Sequence, residues 1–265
     1  MSIKITEMKY KPVTRYLLIS VLIILFIYYV FEVAVSPVKY MHKLDDRVAG
    51  DSVFISGYRD YPPGMETDSL IRLKSQYTAL LALSKMDSIQ MVLDLDDSTV
   101  QLHLKGIRIF SAGMEIKRRD PVLDRLSNRQ YEYMFSRPLE ILQQRSGIVK
   151  EPIVVRHAPK DTIEAALNAF RPDTLIQNPA FLWINTGYNI RVIFEQEGFP
   201  SFSEKWKHFR FRNALRISGA AKRIANLILF RDQEYTPVII VRMNADDLRI
   251  IYRALPENAY LVIRI

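Results

Sequence analysis

The sequence contains no cysteine among its 265 residues. That absence excludes a disulfide framework, a thiolate metal site and a cysteine nucleophile. Glycine is scarce as well: there are nine, and none is spaced as a phosphate-binding loop. Acidic residues number 29 against 37 Lys and Arg, so the formal net charge is +8. A chain with this charge favours anionic partners.

One long apolar run lies near the N-terminus. Tyr16–Val35 spans 20 residues without Pro or Gly, and Glu32 is its single charged residue. At 1.5 Å per residue a helix of this length covers about 30 Å, the thickness of a bilayer core. A cleaved signal peptide has a shorter apolar core of about 7–15 residues. The run therefore predicts a single, uncleaved membrane-spanning anchor.

The charges around this run predict its orientation. Four basic residues precede it and three follow it, namely Lys4, Lys9, Lys11 and Arg15 before it and Lys39, Lys43 and Arg47 after it. This bias places the N-terminus in the cytoplasm and the bulk of the chain in the periplasm, with the anchor in the inner membrane. We expect a cytoplasmic tail over 1–15, an anchor over 16–36, a stalk or linker over 37–66 and an exported domain over 67–265.

The sequence pattern of the expected exported domain predicts a mixed α/β (α+β) fold, mostly β with flanking helices. A helical pattern begins at Thr67 or Asp68, and a three-strand meander follows from Ile89 to Phe110. Residues 121–145 are expected to be irregular and then helical, with a break before Pro138. A short strand is expected over 152–156, a helix begins at Asp161, and strands 181–184 and 190–195 form a hairpin.

The last third of the chain is less uniform. Residues 209–230 fit either strands or an amphipathic helix. A buried strand is expected over 238–242, then a helix capped by Asn244, and a final strand over 259–265.

Two segments resemble the L,D-transpeptidase family of the YkuD type. Ile89–Gly113, IQMVLDLDDSTVQLHLKGIRIFSAG, is similar to the opening meander of that family. Ile240–Ile263, IVRMNADDLRIIYRALPENAYLVI, is similar to its closing stretch, in which Cys-Ile-Arg-Met leads into a short acidic helix and a last strand. The resemblance covers about 50 residues well and implies an L,D-transpeptidase-like fold in an exported domain.

The residues that carry that family's chemistry are missing here. The family uses a cysteine thiolate as nucleophile and a histidine as base within Ser-His-Gly-Cys-x-Arg. On this alignment the cysteine position is Ile240, the preceding triplet is 237–239, Pro-Val-Ile, and only Arg242 matches. The strand that usually leads into the second histidine begins at Asn189 and contains none. Because an isoleucine cannot act as a nucleophile, the resemblance implies a degenerate, inactive relative.

Other candidate sites are weaker. Asp94, Asp96 and Asp97 offer oxygen ligands for a hard cation, but such a cluster is more typical of a hairpin turn. The four histidines are not spaced as a zinc site; they are His42, His103, His157 and His208. We therefore expect neither a metal nor another cofactor.

A basic stretch with interleaved aromatic residues follows Glu204. Its cations are Lys205, Lys207, Arg210, Arg212, Arg216, Lys222 and Arg223. Such a stretch is typical of a solvated helix face, or of a docking patch for lipid head groups, wall carboxylates or an acidic protein.

Taken together, the sequence favours a membrane-anchored, catalytically inactive scaffold or peptidoglycan-facing binding module. Its expected partners are the membrane, peptidoglycan and other envelope proteins; nucleic acid is not expected. One alternative is a subunit of an inner-membrane complex assembled through the anchor, with Glu32 paired to a partner. Another is an envelope hydrolase with a non-cysteine site containing Asp94, His103 or His157.

Overall fold

The computed structural model describes residues 12–59, 64–150, 179–199, 201–229, 231 and 233–265. The helices are α1 (Pro12–Gly50), α2 (Ser52–Gly57), α3 (Met65–Leu83), α4 (Pro121–Asp124), α5 (Asn128–Phe135), α6 (Phe202–Ile228) and α7 (Ala245–Ala254). The strands are β1 (Gln90–Asp94), β2 (Thr99–Leu104), β3 (Ile107–Arg118), β4 (Leu139–Ser146), β5 (Phe181–Thr186), β6 (Arg191–Gln196), β7 (Val238–Met243) and β8 (Tyr260–Arg264). This mixture of helix and strand confirms the predicted class.

The strands of the described part close into an eight-stranded barrel in the order β1-β2-β3-β7-β6-β5-β4-β8. The pairs β6–β7 and β8–β1 are parallel, and the other six are antiparallel. Parallel neighbours cannot be joined by a tight turn and need a crossover connection. The connection between β6 and β7 contains α6, which is how the basic stretch becomes attached to the barrel.

The interior of the barrel is filled with apolar side chains. Alternate residues of a strand point to the same face, so the cross-strand pairs Met91–Leu102, Leu182–Phe194 and Val192–Ile239 identify the inner face. All six side chains are buried, as is expected for a barrel of eight strands, which is just wide enough to be packed by its own residues.

One wall of the barrel is covered on its outer face by α3. Ala79 and Leu83 of this helix form a buried cluster with Val92 of β1 and Val262 of β8. Every residue of β1 is therefore buried, as is usual for a strand with packing on both faces.

The chain divides into two compact units. One contains residues 1–47 and 213–235, and the other contains residues 48–212 and 236–265. The barrel lies entirely in the second unit, and α6 begins in that unit and continues into the first.

The N-terminal helix extends beyond the predicted apolar anchor. It continues through Pro37 to Gly50, so the segment after residue 36 begins as helix. Proline removes the hydrogen bond that would reach the carbonyl of Val33, and the Ser36 hydroxyl donates to that carbonyl instead at 2.9 Å. In the described residues this is the one helix that is long and apolar enough to cross a membrane, and its most apolar 18-residue window has a mean hydropathy of 2.3.

Several predicted boundaries were wrong. The helix that was predicted to begin at Thr67 or Asp68 begins at Met65, after Gly64. Residues 139–146, expected to be helical, form β4, because Leu139 pairs with β8 and the following residues pair with β5. The open choice over 209–230 is decided for helix as far as Ile228. The strand expected over 152–156 and the helix from Asp161 lie outside the described residues.

The remaining strands and turns agree with prediction. The meander of β1, β2 and β3 is antiparallel, and β5 pairs with β6 as a hairpin closed by a 3₁₀ turn over Gly187–Asn189. Asn244 caps α7 by accepting a hydrogen bond from the Asp246 amide at 2.8 Å. The last strand, β8, completes the barrel.

Candidate functional site

The first half of α6 presents exposed aromatic rings among exposed cations. Phe202, Trp206 and Phe209 are four and three residues apart, so they share one side of the helix. The rings of Trp206 and Phe209 stack with centroids 5.5 Å apart. Exposed Lys205, Lys207, Arg210 and Arg212 flank them. We call these seven residues the basic–aromatic face.

The opposite side of this half-helix packs on the barrel. Phe211 stacks on Phe181 of β5 with ring centroids 3.6 Å apart. The imidazole of His208 is buried, with its centroid 4.9 Å from that of Phe199. Because this side is occupied by core contacts, the helix is fixed with its basic–aromatic face toward solvent.

The other predicted cations are placed differently. Arg223 is exposed and belongs to the unit that contains α1. The backbone of Arg216 and Lys222 lies in α6, and their side chains are outside those that the structure describes. The basic–aromatic face therefore contains four of the seven predicted binding residues: Lys205, Lys207, Arg210 and Arg212.

A histidine and a carboxylate meet beneath α6. His208 Nε2 lies 3.7 Å from Glu195 Oε1, and both side chains are largely buried. Burial lowers the pKa of His208, Glu195 acts against this shift, and the nearby Arg212 and Arg242 lower it further. The pair was missed by sequence reasoning, since the two residues belong to different elements and neither stands in a motif.

The positions aligned with the family's catalytic residues lie on β7. Ile240 and Arg242 alternate with the buried Ile239 and Val241, so they lie on the outer face of the barrel. Ile240 is half-buried and is paired in register with Ile193 of β6. Arg242 is paired in register with Glu195 on one side and with Glu115 on the other.

The three aspartates after β1 form a turn that is held by an arginine. Oδ1 of Asp94 accepts hydrogen bonds from the amides of Asp96 and Asp97 at 3.1 and 3.0 Å. Arg264 contacts the carboxylates of all three at 3.0, 3.1 and 3.3 Å. The predicted turn is confirmed, and this guanidinium compensates part of the negative charge of its three carboxylates.

The residues proposed for an alternative hydrolytic site do not converge where they are described. Asp94 pairs with Thr99 and His103 pairs with Gln90, so they stand at opposite ends of the β1–β2 ladder. His103 Nε2 is 3.0 Å from Gln101 Oε1, and burial lowers the pKa of this histidine. His157 lies outside the described residues. His42 is exposed on α1.

A cavity lies beside β4, and the sequence analysis did not predict it. Its volume is about 300 Å³, and its lining includes Leu142, Gln143, Gln144, Lys150, Tyr252 and Glu257. The Lys150 ammonium lies 4.5 Å from the centre of the Tyr252 ring and donates to the carbonyl of Leu255 at 2.6 Å. Burial lowers the pKa of Lys150, while burial and then Glu257 raise that of Tyr252. The lining comes from three separate segments, which is why no local pattern revealed it.

Within the described ranges no group of three or more His, Asp or Glu side chains is arranged to hold a metal ion. Comparison of the chain with protein-family models, with curated proteins and with solved structures gave no match.

Proposed function

We propose that this protein is a membrane-anchored, non-catalytic scaffold or binding module that faces peptidoglycan or another component of the cell envelope. The observation that carries the proposal is the contrast between the interior of the barrel and the exposed surface of α6. The barrel is filled with its own apolar side chains, while aromatic rings and cations are exposed together on α6. Exposed apolar groups ringed by charge are typical of a surface that binds a partner.

The membrane part of the proposal is supported by α1. Its most apolar window is 12% buried, so most of its side chains are available to lipid. We propose that α1 crosses the inner membrane once, with the N-terminus in the cytoplasm and the barrel in the periplasm. An exported domain of this charge attracts the carboxylates of wall polymers and acidic protein surfaces.

The family resemblance supports the non-catalytic part of the proposal. If the chain has an L,D-transpeptidase-like fold, its nucleophile position is Ile240, whose side chain can neither attack a carbonyl nor accept a proton. The strand framework and its outer surfaces persist without that group, so binding is the role that remains.

The alternative of assembly through the anchor receives less support. Its basis was Glu32, a carboxylate in an apolar helix that needs a cationic partner. Lys39 of the same helix supplies one, since its Nζ lies 3.1 and 3.0 Å from the two carboxylate oxygens of Glu32. A partner chain is therefore not required to compensate this charge.

Co-sedimentation of the full chain with purified peptidoglycan in mild detergent tests the proposal. The test variant carries Lys205→Glu, Arg210→Glu and Arg212→Glu on the basic–aromatic face. A matched control carries Lys85→Glu, Arg108→Glu and Arg118→Glu at exposed positions elsewhere in the same unit, so both variants lose six units of charge. We expect the first variant to leave the pellet and the control to remain in it.

Two results contradict the proposal. Equal loss of sedimentation in both variants means that net charge, and not this face, causes the attraction. New cross-links or cleavage products in peptidoglycan incubated with the purified chain, detected by mass spectrometry, contradict a non-catalytic role.

A further inference from the structure

The second half of α6 shares a compact unit with the membrane-spanning candidate α1. Residues 213–235 and residues 1–47 form this unit, and the rings of Tyr40 and Tyr235 meet with centroids 5.8 Å apart. The chain therefore returns from the barrel to the N-terminal helix before it enters β7.

Several side chains of α1 are buried, although most of its apolar run is exposed. Glu32, Ser36 and Leu44 are buried at spacings of four and eight residues, which places them on one face of the helix. Lys39 of the same helix covers part of Glu32, and the burial of Ser36 and Leu44 indicates that further protein lies against this face. Glu32 lies three residues before Val35, the end of the apolar run, or about 5 Å below it. Protein therefore covers part of α1 at the level at which acyl chains meet head groups.

The segment that shares the unit has the composition of a lipid-facing helix. Between Asn213 and Leu229 there is no acidic residue, and its cations are Arg216, Lys222 and Arg223. Its exposed apolar side chains include Ile217 and Ile224, two turns apart on the same side, and Leu229. Exposed alanines at 214, 221 and 225 widen this surface. A helix with an apolar side and only positive charge is suited to an anionic bilayer surface.

We propose that residues 213–229 are a second membrane contact, lying in the lipid interface beside α1 with Ile217 and Ile224 toward the acyl chains. The proposal rests on the membrane placement of α1 and extends it from a single-point tether to a two-helix attachment. Its occupant is the bilayer, because the segment shares a compact unit with the membrane-spanning candidate α1 and its charged residues are all cations, opposite in sign to anionic head groups. A second contact also restricts the rotation of the anchored chain about α1.

The absence of cysteine makes a direct test available, since any single cysteine can be spin-labelled without background. The test variants are Ile217→Cys and Ile224→Cys in the full chain, reconstituted into vesicles of phosphatidylcholine and phosphatidylglycerol. Matched controls on the β2–β3 hairpin are Ile107→Cys and Ile109→Cys. The exposures are 68% and 52% at the test positions and 69% and 50% at the controls. Ile24→Cys, exposed by 65% on α1, reports on the anchor.

The measurement compares collisions of each label with oxygen, which concentrates in lipid, and with a water-soluble nickel chelate. We expect oxygen collisions to dominate at positions 24, 217 and 224, and nickel collisions to dominate at positions 107 and 109. Nickel dominance at 217 and 224, with oxygen dominance retained at 24, overturns the second contact and leaves the anchor intact. Nickel dominance at 24 overturns the membrane placement itself, and with it the proposed function.

A second copy of the chain is the other occupant to be tested. In that case the labels at 217 and 224 are shielded from both reagents and couple magnetically between copies. That result also overturns the proposal, because the surface is then covered by protein instead of lipid.

Discussion

Arg264 and Asp94 form an ion pair between the last and the first strand of the barrel, β8 and β1. Nη1 of Arg264 donates a hydrogen bond to Oδ2 of Asp94 at 3.0 Å, although the residues are 170 positions apart in sequence. They are register partners in the parallel β1–β8 ladder. The Asp94 side chain is 4% exposed and that of Arg264 is 28% exposed, so the carboxylate depends on the guanidinium for charge compensation.

Replacing Arg264 by Met should therefore destabilise the chain. Asp94 would remain buried without its cation, and we expect a loss of roughly 1–3 kcal/mol in the free energy of unfolding. The measurement is urea unfolding of the full chain in mild detergent, followed by tryptophan fluorescence; Trp183 is buried in β5 and Trp206 is exposed, so the change on unfolding comes mainly from Trp183.

The matched control is Lys105→Gln, which removes an ion pair of 2.9 Å with Asp87 in which both side chains are exposed. Such a pair is worth about 0–1 kcal/mol. If Arg264→Met lowers the free energy of unfolding no more than the control does, the pairing of β1 with β8 does not depend on this contact.

Gly147 predicts a second stability effect. A Cβ at this position would lie 2.5 Å from two atoms of the Phe181 ring and 2.9 Å from the carbonyl oxygen of Pro179. The ring is held in place, since it stacks on Phe211 of α6. We expect Gly147→Ala to cost about 1–3 kcal/mol, the usual range for an overpacked core, in the same urea experiment.

Gly113→Ala is the control for that change. It lies in β3, where a Cβ meets no atom within 4 Å, and it is expected to leave stability unchanged or slightly raised. If the two alanine variants unfold at the same urea concentration, the close approach of Phe181 to Gly147 is not present in solution.

The buried histidines predict that stability falls in acid. Burial lowers the pKa values of His103 and His208 from their ordinary value of 6.5, so the folded chain binds these protons less readily than the unfolded chain. The contribution of these two histidines to the free energy of unfolding is therefore fully present above about pH 6.5. It decreases as the pH falls through and below that value. Unfolding midpoints measured between pH 5 and pH 8 would show this slope.

Substitution should remove part of this pH dependence. We expect His208→Gln to flatten the curve, since glutamine does not titrate and the lowered pKa of His208 then no longer contributes. A slope that persists unchanged in both His208→Gln and His103→Gln would assign the pH dependence to other groups.

The exposed rings of α6 predict a loss of binding without a loss of stability. We expect Trp206→Ser with Phe209→Ser to weaken binding to peptidoglycan, measured by co-sedimentation, about tenfold, which corresponds to roughly 1–2 kcal/mol for the stacked pair of rings. The midpoint of unfolding should change little, because both side chains are exposed.

Tyr77→Ser provides the comparison, since Tyr77 is an exposed aromatic residue on α3, away from the basic–aromatic face. It should leave binding intact. Undiminished binding of the Trp206 and Phe209 variant would leave the cations alone as the source of affinity.

Local patterns were sufficient for the elements in which each residue's role depends on its near neighbours. The apolar run from Tyr16 to Val35, the Asp94 turn and the Asn244 cap were all predicted correctly as structure. Local patterns failed where pairing with a distant strand decides the secondary structure. Residues 139–146 include charged and amide side chains that are common in helices. They form a strand because β8 and β5 pair with them on either side.

The candidate sites divide in the same way. The cations of α6 were recognisable from sequence, because charge and aromatic spacing are local properties. The His208–Glu195 pair, the Lys150 cavity and the return of residues 213–235 toward α1 were not, since each joins segments that are separated along the chain.

The sequence by itself determined that the chain carries an apolar N-terminal helix, lacks a cysteine nucleophile and has an excess of positive charge. Hydrophobic length, residue chemistry and charge do not depend on the path of the chain, so these properties follow from composition and order alone. Tertiary structure alone decided that eight strands close around a filled core and that α6 turns its rings and cations outward. Closure and orientation depend on which distant strands pair and on which helix side Phe181 and its neighbours bury, and no local pattern contains that information.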